Sequence, residues 1–166
     1  MSISEVDLEH LRRCVALART ALEAGDEPFG SVLVSGAGEV LFEDHNHVVA
    51  GDPTRHPELA IAQWAGAHLS GPERAACTVY TSGEHCAMCA AAHGWVGLGR
   101  IVYAVSSAQL GAWRSAWGAA PSPVTPLAIR DVVPGAVVEG PVPELEDELR
   151  ALHEAFARRS GGPGSS

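Results

Sequence analysis

Cys86 and Cys89 stand three positions apart in TSGEHCAMC, and thirty residues upstream His56 and Glu58 stand two apart in TRHPELA. A Cys-x-x-Cys pair that opens a helix after a strand supports two chemistries. The helix start lowers a thiol pKa for redox work, and it equally presents two thiolates to zinc. His56 and Glu58 also fall at the start of an expected helix. If the two helix starts abut, His56, Cys86 and Cys89 become three zinc ligands and leave the fourth tetrahedral position for water. Such water still has to lose a proton, and Glu58 is placed to accept it and return it to a leaving group. Two plainer readings stand beside this one. A structural zinc knot would be closed by His45, His47, His85 or Cys77, with Glu58 only capping its helix. A thioredoxin-like redox pair would leave His56 and Glu58 unexplained.

The elements that must carry these residues are legible from periodicity. Leu8, Leu11, Val15, Ala18 and Leu22 recur at helical spacing, between Ser4 as N-cap and Gly25 as stop signal. SVLVS and EVLFED form a hairpin about Gly36 and Gly38. HPELAIAQWAGAHL reads as a helix from His56, with Pro57 in its first turn and Gly71-Pro72 ending it. CTVYTS is a strand, Cys86 to Leu98 a helix and RIVYAVS a strand, an alternation that makes at least part of the sheet parallel. The run SSAQLGAWRSAWGAAPSPVTP reads as a connection, and IRDVV with AVVEG supplies one more strand between them. Leu145, Leu149, Leu152 and Phe156 mark a final amphipathic helix whose acids are solvated. Residues 1–159 are expected to form one domain and residues 160–166, SGGPGSS, a disordered tail.

Composition excludes more than it selects. All eleven basic residues are arginine, so no lysine is present for a Schiff base or a phosphate-binding loop. A net charge of −9 without a basic cluster speaks against a nucleic-acid partner. No apolar run approaches a membrane span, and the acidic first ten residues do not resemble a secretion signal, so a cytoplasmic setting is expected. There the four cysteines are thiols or metal ligands, with Cys14 and Cys77 read as buried thiols.

HPE followed by CAMC resembles the zinc signature of the cytidine deaminase-like superfamily, a pattern documented generally for zinc deaminases as H-x-E with P-C-x-x-C. EPFGSVLV, HNHVVAGDPTRHPE and RIVYAVS extend the likeness over roughly residues 5 to 106. Its nearest branch holds guanine deaminases, fungal-type cytosine deaminases and tRNA adenosine deaminases. The resemblance implies a three-layer αβα sandwich about a mixed five-stranded sheet. It makes His56, Cys86 and Cys89 zinc ligands and Glu58 the proton shuttle. It also matches Asn46 to an asparagine that hydrogen-bonds the substrate base, and Phe29 to an aromatic pocket wall. The implied activity is hydrolytic deamination, by zinc-activated water, of a small amino-substituted nucleobase of guanine or cytosine type or an altered analogue. A homodimer is implied too, with one subunit able to complete the other's pocket. The alternatives are a nucleoside or tRNA adenosine deaminase and, from another class, a non-catalytic zinc-stabilised interaction module.

Two residues depart from the family pattern. Pro57 stands where alanine or valine is usual and has no backbone N–H to offer a substrate. His85 replaces the usual proline before the first cysteine and is expected either to contact substrate or to face solvent in a tolerant turn. Trp113 and Trp117 either pack as one helical face or wall the pocket, with Trp113 taken as a substrate contact. Trp95 is expected in the core.

Overall fold

The computed structural model describes residues 2–160. Helix α1 (Glu5–Glu23) starts as the sequence indicates, with a reciprocal Ser4–Asp7 capping box. It leads into strand β1 (Gly30–Val34), which pairs antiparallel with β2 (Val40–His45) on one side and β3 (Thr78–Gly83) on the other. Strand β4 (Arg100–Val105) joins β3 in parallel, and β5 (Val138–Glu139) joins β4 in parallel. The order β2-β1-β3-β4-β5 is thus a mixed five-stranded sheet.

Helices cover both faces, which is why β1 is buried along its whole length rather than alternating. Side chains of α1, α7 (Glu146–Ser160) and α5 (Ser107–Ala116) meet Val32, Tyr80 and Val102 on one face. On the other face, α2 (Pro57–His68) and α4 (Ala87–Val96) meet Leu33, Val79 and Ile101. The αβα sandwich follows from these two cores. Gly30 lets α1 lie close against the sheet, because a Cβ there would come within 2.4 Å of the Cys14 carbonyl oxygen. Among the described residues, no helix is long and apolar enough to cross a membrane.

Several local expectations are corrected. Gly71-Pro72 does not end α2. It begins a further short helix, α3 (Gly71–Ala76), capped reciprocally by Ser70 and Glu73. The stretch read as a connection contains α5, whose Ser106–Gln109 capping box is a start signal that the nearby Gly, Ser and Pro residues masked. IRDV forms one helical turn, α6 (Ile129–Val132), so only AVVEG contributes to the fifth strand. Trp95 is 90% exposed, on the side of α4 turned away from the sheet. Ser160 is the last residue of α7, and the rest of the expected tail, residues 161–166, lies outside the described residues.

Candidate active site

His56 and Cys86 are the N-cap residues of α2 and α4, and Cys89 lies one turn inside α4. Both helices point their N-terminal ends, the positive ends of their dipoles, at one spot, which favours thiolate there. His56 Nδ1 is 3.6 Å from both Cys86 Sγ and Cys89 Sγ. Among the described residues, these three form the one His/Cys/Asp/Glu group whose ligand atoms all lie within 4.8 Å of one another. A tetrahedral zinc with bonds of about 2.3 Å to sulfur and about 2.0 Å to nitrogen separates such donors by about 3.5 Å, so the triad fits that ion. The free triad shares its protons unevenly. A hydrogen bond from Cys89, then His56, pulls the Cys86 thiol down to about 4, and the same bond pushes Cys89 up. Cys86 in turn holds the His56 pKa above its ordinary value.

None of the four residues that would close a structural knot joins the cluster. His47 Nε2 sits 2.7 Å from an Asp44 oxygen, and His45 Nδ1 is 3.0 Å from the Asn46 carbonyl oxygen. Cys77 Sγ donates to the Glu73 carbonyl, and His85 lies with its ring edge-on to His93. Among the described residues the cluster therefore offers a metal three donor atoms and leaves one side open.

That side opens into a cavity of about 960 Å³, with His56, Pro57, Glu58 and Cys86 in its lining. Glu58 is buried, and desolvation pushes its carboxyl pKa up, against hydrogen bonds from Thr81 and Ser31 and the His56 charge. Asn46 also lines the cavity, fixed by its backbone N–H donating to the Phe29 carbonyl at 3.1 Å. Its buried side-chain oxygen has no hydrogen-bond partner among the described residues. A buried amide left so is costly unless something else donates to it. Phe29 forms the neighbouring wall, backed edge-on by His153.

Two expected contacts lie elsewhere. His85 is 1% exposed, so it neither lines the cavity nor faces solvent, and burial keeps its pKa well below the ordinary value. The turn before Cys86 aims its ring inward because α4 brings His93 up behind it. Trp113 is buried in the α1/α7 core between Trp117 and His153, because α5 turns that face inward and leaves Leu110, Gly111 and Arg114 toward the cavity.

Other residues of the site escaped the sequence reading. Glu84 lines the cavity and accepts the backbone N–H of Ser107 at 2.8 Å and of Ile129 at 3.0 Å, pinning both ends of the segment that roofs it. Arg114 pairs with Glu27 at the rim. An acid two residues before the first cysteine was a visible signal for Glu84. Nothing local marked Arg114. Phe156 of α7 completes the lining, so the last helix does reach the pocket.

Comparison with known proteins bears on this geometry. The family model for the cytidine and deoxycytidylate deaminase zinc-binding region matches residues 4–105. A probable cytosine deaminase from Schizosaccharomyces pombe is 33% identical over 158 residues, covering 93% of this chain and 94% of the relative. A tRNA-specific adenosine deaminase from Haemophilus influenzae is 32% identical over 110 residues, covering 66% of this chain and 64% of the relative. A guanine deaminase from Nitrosomonas europaea shares the fold, with a TM-score of 0.66 at 20% identity over 95% of this chain and 86% of that one. The matched region contains the abutting helix starts that gather His56, Glu58, Cys86 and Cys89, and the chain belongs to the cytidine and deoxycytidylate deaminase zinc-binding family.

Proposed function

We propose that this chain hydrolytically deaminates a small free nucleobase of cytosine or guanine type, or an altered analogue, releasing ammonia. In this reading residues 1–159 are the catalytic domain of a cytoplasmic homodimer. The observation that carries it is the Asn46 side-chain oxygen, buried and unpartnered among the described residues, in a cavity that Glu58, His56 and Cys86 also line, with Cys89 directly behind them. A ring or amide N–H of a base is the donor that oxygen lacks. Coverage of 94% of the probable cytosine deaminase from Schizosaccharomyces pombe supports a free base, as does a net charge of −9.

His56, Cys86 and Cys89 would hold zinc, which supplies a water acidified enough to be a nucleophile near neutral pH. Asn46 orients the base edge and Phe29 lies against the ring. Glu58 carries the first proton of the water to a ring nitrogen and then the second, from the hydroxyl now on the ring carbon, to the exocyclic amine, which leaves as ammonia. The ring carbon exchanges its C–NH2 bond for a carbonyl, with one water consumed. Pro57 contributes no N–H here, so the side chains carry the recognition.

One observation favours a second reading. The cavity's 960 Å³ is at the upper end of the range for small-molecule sites, which leaves room for the sugar of a nucleoside or of a tRNA adenosine. Ammonia release from the zinc-loaded protein, measured with free bases, nucleosides and tRNA at saturation, separates the two. Turnover of free bases is expected. Strong activity on tRNA alone would overturn the proposal.

A further inference from the structure

Ser31 and Thr81 are wholly buried hydroxyls in an otherwise apolar layer. They are cross-strand partners in the β1/β3 register, and their side chains share the face carrying Leu33 and Val79. That face packs against α2, and there a hydroxyl costs stability unless it is hydrogen-bonded. Both converge on one atom. Thr81 Oγ1 lies 2.8 Å and Ser31 Oγ 3.0 Å from Glu58 Oε1. Each also has a second acceptor in place. Ser31 Oγ is 2.9 Å from Thr81 Oγ1, and Thr81 Oγ1 is 2.9 Å from the Gly83 carbonyl oxygen.

We infer that Ser31 and Thr81 are positioning residues, which lock the Glu58 carboxylate by its Oε1 so that Oε2 faces the triad and the bound base. This inference rests on the proposed deamination. A carboxylate on a helical glutamate turns readily about its last torsion, and a misplacement of about 1 Å at a reacting group costs on the order of 100-fold in rate. Two hydroxyls arriving from separate strands remove that freedom. The lock survives the reaction, because Oε1 accepts from both hydroxyls when Glu58 is ionised and, as the carbonyl oxygen of a carboxyl protonated on Oε2, still accepts from them while Glu58 holds the proton in transit.

Thr81→Val keeps the side-chain shape and removes the hydroxyl, and Ser31→Ala does the same on the other strand. The Ser31→Ala/Thr81→Val double variant is expected to lose about 10- to 100-fold in kcat with KM within about threefold. Its zinc content and melting temperature should stay at the wild-type level. Thr81→Ser should recover most of the rate lost in Thr81→Val. An unchanged kcat in the double variant would overturn the inference, as would a loss that tracks zinc or melting temperature. A crystal structure of the zinc-loaded double variant reads the orientation itself. The Glu58 carboxylate should be rotated or disordered there, and an unmoved carboxylate would again overturn the lock. Should the wild type deaminate nothing, the proposed activity fails, while this structural readout still decides whether the hydroxyls position Glu58.

Discussion

Replacing Glu58 with glutamine isolates the proton shuttle from everything else the site does. The side chain keeps its size, and its amide can still accept from Ser31 and Thr81, which lie 3.0 and 2.8 Å from Oε1. It no longer accepts a proton from water. General acid–base catalysis by a placed group contributes roughly 10²- to 10⁴-fold. At about 1.4 kcal/mol per tenfold, the lost barrier reduction is about 3–6 kcal/mol. Folding should not suffer, because burial already disfavours the charged form of Glu58 and glutamine is neutral. The assay is ammonia release under saturating base, alongside zinc stoichiometry by atomic emission and a thermal melt. The expected result is a fall of 10²-fold or more in kcat, with one zinc per chain and the melting temperature unchanged or higher. A variant within threefold of wild type would refute the shuttle. A variant that lost its zinc would refute the separation of ligand from shuttle.

Two further outcomes follow from the geometry. Asp7 is buried and accepts both Arg100 Nη1 at 2.7 Å and Nη2 at 3.0 Å, as well as the Tyr80 hydroxyl at 2.7 Å, so Asp7→Asn should cost about 3 kcal/mol in urea unfolding, the low end for a broken buried pair because Glu139 still holds Arg100. Arg100 above all holds the Asp7 carboxyl well below its ordinary 3.8; its stabilisation is therefore full above about pH 4 and fades as pH falls from there toward the lowered folded value, so the gap between wild type and Asp7→Asn should narrow only below about pH 4, and a gap that narrowed near neutrality would contradict the assignment. A Cβ on Gly83 would sit 2.8 Å from Phe29 Cε1, so Gly83→Ala should push the ring into the cavity and lower kcat/KM for purine bases about tenfold relative to pyrimidines, with Phe29→Leu restoring the ratio in the double variant. An unchanged ratio would remove Phe29 from the pocket wall.

The gathering of His56, Cys86 and Cys89 was legible because its information is local. Two residue pairs, His56–Glu58 and Cys86–Cys89, each open a helix and carry their own start signals in Pro57 and in the strand-to-helix switch before Cys86. The strands were legible too, as short apolar runs bounded by turn residues and, from CTVYTS to RIVYAVS, as an alternation with a helix that demands a parallel pair, while the αβα layering was carried by the family resemblance. What depended on register or on distant packing was not. Ser31 and Thr81 acquire their role only when β1 pairs with β3, fifty residues on. His85 was offered the pocket or the solvent, and His93 drew it into the interior instead. Trp113, taken as a pocket contact, is in the core and Trp95, expected in the core, is exposed, because the face a helix buries is chosen by its neighbours: α7 claims Trp113, while Trp95 projects from the outer side of α4. The α5 capping box was present in the sequence but lay between residues that usually mark loops.

The proposed open zinc site, with His56, Cys86 and Cys89 as its three protein ligands, is read out by zinc-edge X-ray absorption on the metal-loaded protein. The expected spectrum has two sulfur scatterers at about 2.3 Å, and one imidazole nitrogen and one further light scatterer that is not imidazole at about 2.0 Å. The non-imidazole scatterer should change when a substrate-like base is added. A second imidazole or a third sulfur, unmoved by any base, would mean that the protein closes the site itself and that the proposed chemistry has no place to occur.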